Sequence, residues 1–183
     1  IVNREIIDIN DCTILLEEAS TDKTLVDICL FDEPVIAIAF YGKGDVGLKV
    51  KYKDETKEYH HTKGMVLSFY ADSEVEFEHH VSADKPLQCL VIATTIRNLD
   101  QLPNGEGQFL EQFLAQLVHP KDHYVEGPVF SMTPEMYLLV EQFFSNTFES
   151  ELKMMFYKSH MSALLSHYFG QLASQKTTAI DIP

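Results

Sequence analysis

The sequence predicts an α+β protein, a small β-barrel or jelly roll of about eight or nine strands followed by a helical segment. Three observations predict it. From residue 5 to about 95, apolar residues alternate within short runs rich in β-branched and aromatic side chains. From residue 96 onward they recur at three- and four-residue steps instead. Turn-forming clusters divide the first region at intervals of about 8–12 residues, the spacing of all-β domains. With 183 residues and 45% apolar content the chain is long enough to bury a sizeable core.

The strand candidates are "CTILLEEAS", "LVDICLF", "VIAIAFYG", "VGLKVKYK", "KEYHH", "MVLSFY", "VEFEHHV" and "LQCLVIATT". Between them stand "STDK", "DEP", "GKGD", "KDET", "TKG", "ADS" and "SADKP", whose Gly, Pro, Asp and Ser favour turns. The tight "YKDET" turn predicts a hairpin between "LKVKY" and "KEYHH". Closing such strands into a barrel protects their edges.

Three helices follow. "GQFLEQFLAQL" (107–117) places Phe109, Leu110, Phe113, Leu114 and Leu117 along one face. A loop containing Pro120, Gly127 and Pro128 leads to "SMTPEM", where Thr133 is a candidate N-cap, Pro134 suits the first turn and Glu135 complements the helix dipole. Asn146 is expected to end that helix. The last helix, roughly 150 to 174, is apolar on two sides: Leu152, Met155, Phe156, Ala163 and Phe169 on one, Met154, Tyr157, Met161, Leu164, Leu165 and Tyr168 on another. A helix apolar on two sides has two surfaces to bury against, its own core and, by expectation, a second subunit. A central core helix in a monomer is the competing reading. "QKTTAIDIP" lacks apolar periodicity and reads as a linker, so a further domain is expected beyond it. The chain opens on Ile1 without a signal-peptide pattern, which reads as a trimmed or processed start.

Charge and cysteine content exclude several classes. The 28 acids against 14 bases give a formal charge of −14, and Arg4 and Arg97 are the only arginines, so no basic stripe exists to meet a nucleic-acid backbone. No apolar run reaches the ~20 residues of a membrane span. Cys12, Cys29 and Cys89 are odd in number and lack CxxC spacing, which predicts free thiols in a reducing cytoplasm.

Four imidazoles lie within residues 60–80, as His60–His61 and His79–His80. They resemble the beginning of a metal site, but neighbouring residues of a strand point to opposite faces. At most one of each pair can face inward. In "VEFEHHV" the inner face carries Val75, Phe77 and His79, the outer face Glu76, Glu78 and His80, and no carboxylate completes a ligand triad there. GxSxG, HExxH, GxxxxGK[ST] and GxGxxG are all absent, and "GKGDVG" reads as a hairpin turn rather than a phosphate cradle. Neither catalytic residues nor a metal or other cofactor are expected.

Three stretches carry a family resemblance: "VIAIAFYGKG", "HTKGMVLSFYADSEVEFEHH" and "FESELKMMFYKSHMSALLSHYFGQL". Together they resemble the N-terminal sensing half of AraC-type transcriptional regulators, a cupin-like barrel followed by helices, and within these the siderophore-responsive branch typified by PchR. The chain departs from the full family by ending before any helix-turn-helix. The resemblance implies a cupin-like sensing barrel over residues 1–98, a helical dimerisation segment packed on it over 99–174, and a linker over 175–183 to a missing DNA-binding domain. It further implies a cytoplasmic homodimer formed through the C-terminal helices, a small-molecule effector in the barrel, DNA contact only through the missing domain, and no membrane association. The expected pocket comprises Phe69 and Phe77 as apolar wall, His79 as polar contact and Tyr41 at the rim. The expected interface comprises Leu152, Met155, Phe156, Ser159, Ala163 and Phe169, although the opposite side of the helix is nearly as apolar. Two rivals stand against this: a stand-alone metal-dependent cupin enzyme using His61, His79 or His80, and an oligomerisation scaffold whose barrel is filled by its own side chains.

Overall fold

Alternation along each strand sends its side chains into two different cores, and this decides the architecture. The computed structural model describes residues 2–102 and 105–180. Its strands are β1 (Val2–Ile9), β2 (Cys12–Ala19), β3 (Leu25–Cys29), β4 (Val35–Lys43), β5 (Asp45–Tyr52), β6 (Glu55–Thr62), β7 (Met65–Ala71), β8 (Glu76–Val81), β9 (Leu87–Thr95) and β10 (Tyr124–Ser131). They form two antiparallel sheets, a six-stranded one ordered β1-β2-β9-β4-β7-β10 and a four-stranded one ordered β3-β8-β5-β6. The two sheets face each other around a lumen, and helices cover the other side of the larger sheet.

Strand β4 shows why "VIAIAFYG" is apolar without interruption. Ile36, Ile38 and Phe40 join the core under the helices, while Val35, Ala37, Ala39 and Tyr41 join the lumen core. β9 divides likewise, with Leu90 and Ile92 toward the helices and Leu87, Cys89, Val91 and Ala93 toward the lumen. A strand buried on both faces reads as a continuous apolar run.

Two strands escape the sequence reading. β1 pairs with β2 along its whole length through a two-residue turn, Asn10 (φ 51°) and Asp11 (φ 63°), the left-handed pair that hairpins of this kind require. β10 was expected to be loop because it contains Gly127 and Pro128. Both lie where its register against β7 shifts, between Glu126 and Val129, and β10 is an edge strand. Proline is tolerated at an edge bulge, where no ladder donor is needed. A Cβ on Gly127 would fall 2.2 Å from the Ser68 hydroxyl, so the close approach requires glycine. The expected β5–β6 hairpin is present, with Lys53 at φ 53° in its turn.

The helices are α1 (Glu106–Phe113), α2 (Ala115–Val118), α3 (Pro134–Ser145) and α4 (Ser150–Ile180). The single helix expected over 107–117 breaks at Leu114 (φ −130°). α3 starts as predicted, with the Thr133 side chain accepting from the Met136 amide at 3.3 Å. α4 is longer than expected. It runs six residues past 174, so residues 175–180 of the anticipated linker are helical, and residues 181–183 lie outside those described. Its 31 residues span about 46 Å.

Candidate functional site

The adjacent histidines diverge as the strand geometry demands. His61 is buried in the lumen, whereas His60 sits outside against Asp45. His79 faces the lumen from β8, and His80 faces outward, 2.6 Å from Glu78, which Lys51 also holds. Hydrogen bonds from Lys51 and, next, from His80 hold the Glu78 carboxyl down at about 2. Inside, burial pushes both imidazoles down to about 4, and repulsion from His79 and His60 adds to the fall at His61. Both are therefore neutral at pH 7.

Tyr41, Phe69, Phe77 and His79 all line one small chamber in the lumen, so the structure brings the four expected pocket residues together. Tyr41 is not at the rim, however. Its parity on the central strand β4 turns it inward, where its hydroxyl lies 2.9 Å from His61 Nδ1. The rings of Phe69 and Phe77 pack tilted with centres 5.3 Å apart, and Phe31, from the β3–β4 connection, closes on them at 6.3 and 5.8 Å. His79 Nδ1 meets Cys29 Sγ at 4.0 Å. Burial raises the Cys29 thiol to about 12, so it stays protonated. The chamber holds only about 40 Å³, room for about one water.

A much larger space adjoins it. A cleft of about 600 Å³ opens where β1, the last strand of the larger sheet, overhangs the β3–β4 connection. Leu15, Glu17, Cys29, Phe31 and Val91 line both spaces, and Phe31 is the aromatic partition between them. Arg4 of β1 spans the seam, 2.5 Å from Asp27 of β3 and 3.4 Å from Glu17 of β2. Burial raises the Glu17 carboxyl, and Arg4 opposes that rise.

The sequence reading missed Arg4, Glu17, Cys29 and Phe31. Glu17 carried a usable signal: along "CTILLE" its parity matches Thr13 and Leu15, not the core-facing Cys12, Ile14 and Leu16. The inner face of β8 carries no carboxylate, as expected, but β2 brings one to the same chamber from across the lumen. Among the described residues no three His, Cys, Asp or Glu side chains are placed to hold a metal ion. The three cysteines are free thiols.

The family model for the regulatory protein PchR N-terminal domain matches residues 20–181. The chain belongs to this family. No curated protein matches it. Solved structures similar to this PchR-type domain include Fe(II) HppE in complex with substrate (12% identity, 50% of this chain and 53% of that one, TM-score 0.39). A double-stranded β-helix protein from Klebsiella pneumoniae subsp. pneumoniae MGH 78578 (11%, 51% and 76%, 0.38) is another. A third is a cupin domain from Bordetella pertussis Tohama I (11%, 50% and 90%, 0.37). The chain thus spans about half the length of the first of them.

The PchR-type domain separates the six residues expected at a subunit interface. On α4, Leu152, Met155 and Ser159 are exposed, Phe156 and Ala163 are half-buried, and Phe169 is buried. Phe156 lies flat on His160 at 3.8 Å and edges Phe148. Phe169 packs against Phe109 and Phe113 of α1 at 5.5 and 6.3 Å, so it belongs to the internal core and not to a free face. The sequence could not reveal α1 as its partner, because that contact is tertiary. Of the opposite stripe, Tyr157, Met161, Leu164, Leu165 and Tyr168 are buried in the core under the larger sheet, whereas Met154 at its N-terminal end is exposed. No helix among the described residues is long and apolar enough to cross a membrane.

Proposed function

We propose that this domain is the ligand-sensing and dimerisation module of an AraC-type transcriptional regulator acting in the cytoplasm, with DNA contacted by a helix-turn-helix domain outside this chain. The observation that carries the reading is the open cleft of about 600 Å³ leading to an aromatic chamber, within a domain whose family is regulatory. Such a volume is in the range of small-molecule sites. A chain carrying −14 charges needs a separate basic unit to meet DNA. Leu152 and Met155, 61% and 67% exposed on the first turns of α4, are the apolar surface offered to a second copy.

Sedimentation velocity tests the assembly. The chain is expected to sediment as a dimer and its Leu152→Glu, Met155→Glu double variant as a monomer. A monomeric parent would overturn dimerisation, and a dimeric variant would overturn this interface. Sensing is tested by a thermal-shift screen of small molecules. Hits should vanish when Thr13→Trp fills the cleft, and hits that persist there would locate binding elsewhere.

A further inference from the structure

We infer that the cleft is built to take an organic cation with an apolar body, such as an arylalkylamine or amidine, rather than an anion. The inference rests on the reading of the cleft as the ligand site and adds the chemical class. Its wall carries the carboxylates of Asp8, Asp11, Glu17, Asp32 and Glu33, against one cation, Arg4. That cation is already engaged, since its guanidinium sits between Glu17 at 3.4 Å and Asp27 at 2.5 Å. Arg97 offsets Glu33 at 2.7 Å, and the Thr13 hydroxyl donates to Asp8 at 2.8 Å. Glu17 is the most withdrawn of the five, with a side chain 12% exposed and a single, long ion pair. A positive ligand group near it would supply the close counter-charge that Arg4 supplies only at a distance. An anion would meet the whole acidic wall with no free cation among the described lining residues to receive it.

Apolar groups complete the site. Leu15, Phe31, Val35, Val91 and Ala93 form its floor. At its lip Ile6 and Leu30 stand 64% and 55% exposed, apolar surface that a ligand body would remove from water. Phe31 presents an aromatic ring at the cleft's inner end, a surface to which cations are attracted. The hydroxyl of Thr95, a residue of the same wall, is buried without a hydrogen-bond partner among the described residues.

Three probes of matched shape test the charge preference: 2-phenylethylamine, 2-phenylethanol and 3-phenylpropionate, each titrated into the chain and followed by ¹H–¹⁵N NMR. The amine is expected to bind about tenfold more tightly than the alcohol, with the propionate weakest. The Asp11→Asn, Asp32→Asn double variant removes two exposed charges. It should weaken the amine by about tenfold at low salt and leave the alcohol unchanged. Thr13→Trp should abolish binding of all three; Ala93→Phe, from a different strand, provides the same block should the first variant not fold. If the alcohol or the propionate binds as well as the amine and both are blocked, the cleft remains the ligand site and the charge inference fails. If the amine still binds both blocked variants, it is held by the acidic surface at large and the inference also fails. If no probe binds, the inference fails, while the sensing reading then stands or falls on the unbiased screen.

Discussion

Acid should destabilise this domain through two identifiable side chains. His61 and His79 are buried and neutral, each brought from the ordinary 6.5 to about 4, mainly by burial. The sign follows from which state takes the proton. Between pH 6.5 and 4 the unfolded chain protonates both imidazoles and the folded chain does not, so stability is complete above 6.5 and declines as pH falls toward 4. A pKa difference of about 2.5 corresponds to about 2.5 kcal/mol lost per imidazole between pH 7 and 4.5, or about 5 kcal/mol for the pair. That is a large share of the roughly 5–15 kcal/mol that holds a domain together. The assay is urea denaturation followed by far-UV circular dichroism at intervals from pH 7.5 to 4.5, since the chain has no Trp to report by fluorescence. His79→Gln should flatten the curve by about half. His61→Gln, which can still bond the Tyr41 hydroxyl, should do the same. Because repulsion from His79 contributes to the low value at His61, the double variant should gain less than the two single ones added together. Single variants whose pH dependence matched the parent would refute the claim that these rings are neutral and shielded from water.

Three further outcomes follow from local geometry. Phe31→Ala should join the chamber of about 40 Å³ to the cleft of about 600 Å³, raising the His79 pKa toward 6.5 by admitting water, as an NMR pH titration would show. The same change should cost about 2 kcal/mol in urea, less than truncation of a fully buried phenylalanine because this ring is only half-buried. Gly127→Ala forces a methyl to within 2.2 Å of the Ser68 hydroxyl and 3.0 Å of Leu117, so thermal denaturation should report a loss of about 1–3 kcal/mol. Thr133→Ala removes the cap on the Met136 amide and should cost about 1 kcal/mol by the same measurement.

Which parts of this were readable from residues alone follows from how far each signal reaches. The start of α3 was legible, because Thr133, Pro134 and Glu135 act within one turn of each other. The inward parity of Phe77 and His79 was legible too, since alternation is a property of the strand itself. β10 was not, because Gly127 and Pro128 are punctuation in isolation and become a bulge only against β7. The burial of Tyr41 depended on β4 being a central strand, and strand order is not written in any one segment. The cleft is the extreme case: it draws on β1, β2, β9 and the β3–β4 connection, and none of those stretches shows a cavity by itself.

The two apolar sides of α4 make the sharpest contrast, because the sequence treats Phe169 and Met155 as equivalent members of one stripe and the fold does not. Phe169 is 7% exposed and sits among Phe109, Phe113 and Tyr168, with ring centres 5.4–6.3 Å away. Truncating it leaves a cavity between α4 and α1, and Phe169→Ala should therefore cost about 3–5 kcal/mol. Met155 is 67% exposed, so within one copy Met155→Ala should fall within about 0.5 kcal/mol of the parent. Denaturation at a concentration low enough to keep the chain monomeric separates internal packing from contact between copies. At high concentration a residue buried between two copies should become costly to truncate, since association stabilises the folded state by mass action. Met155→Ala should then turn destabilising as protein concentration rises, while the cost of Phe169→Ala stays constant. If Met155→Ala were already costly in the monomer, that side of the helix would be serving its own core, and the surplus apolar surface would have no second subunit to explain it.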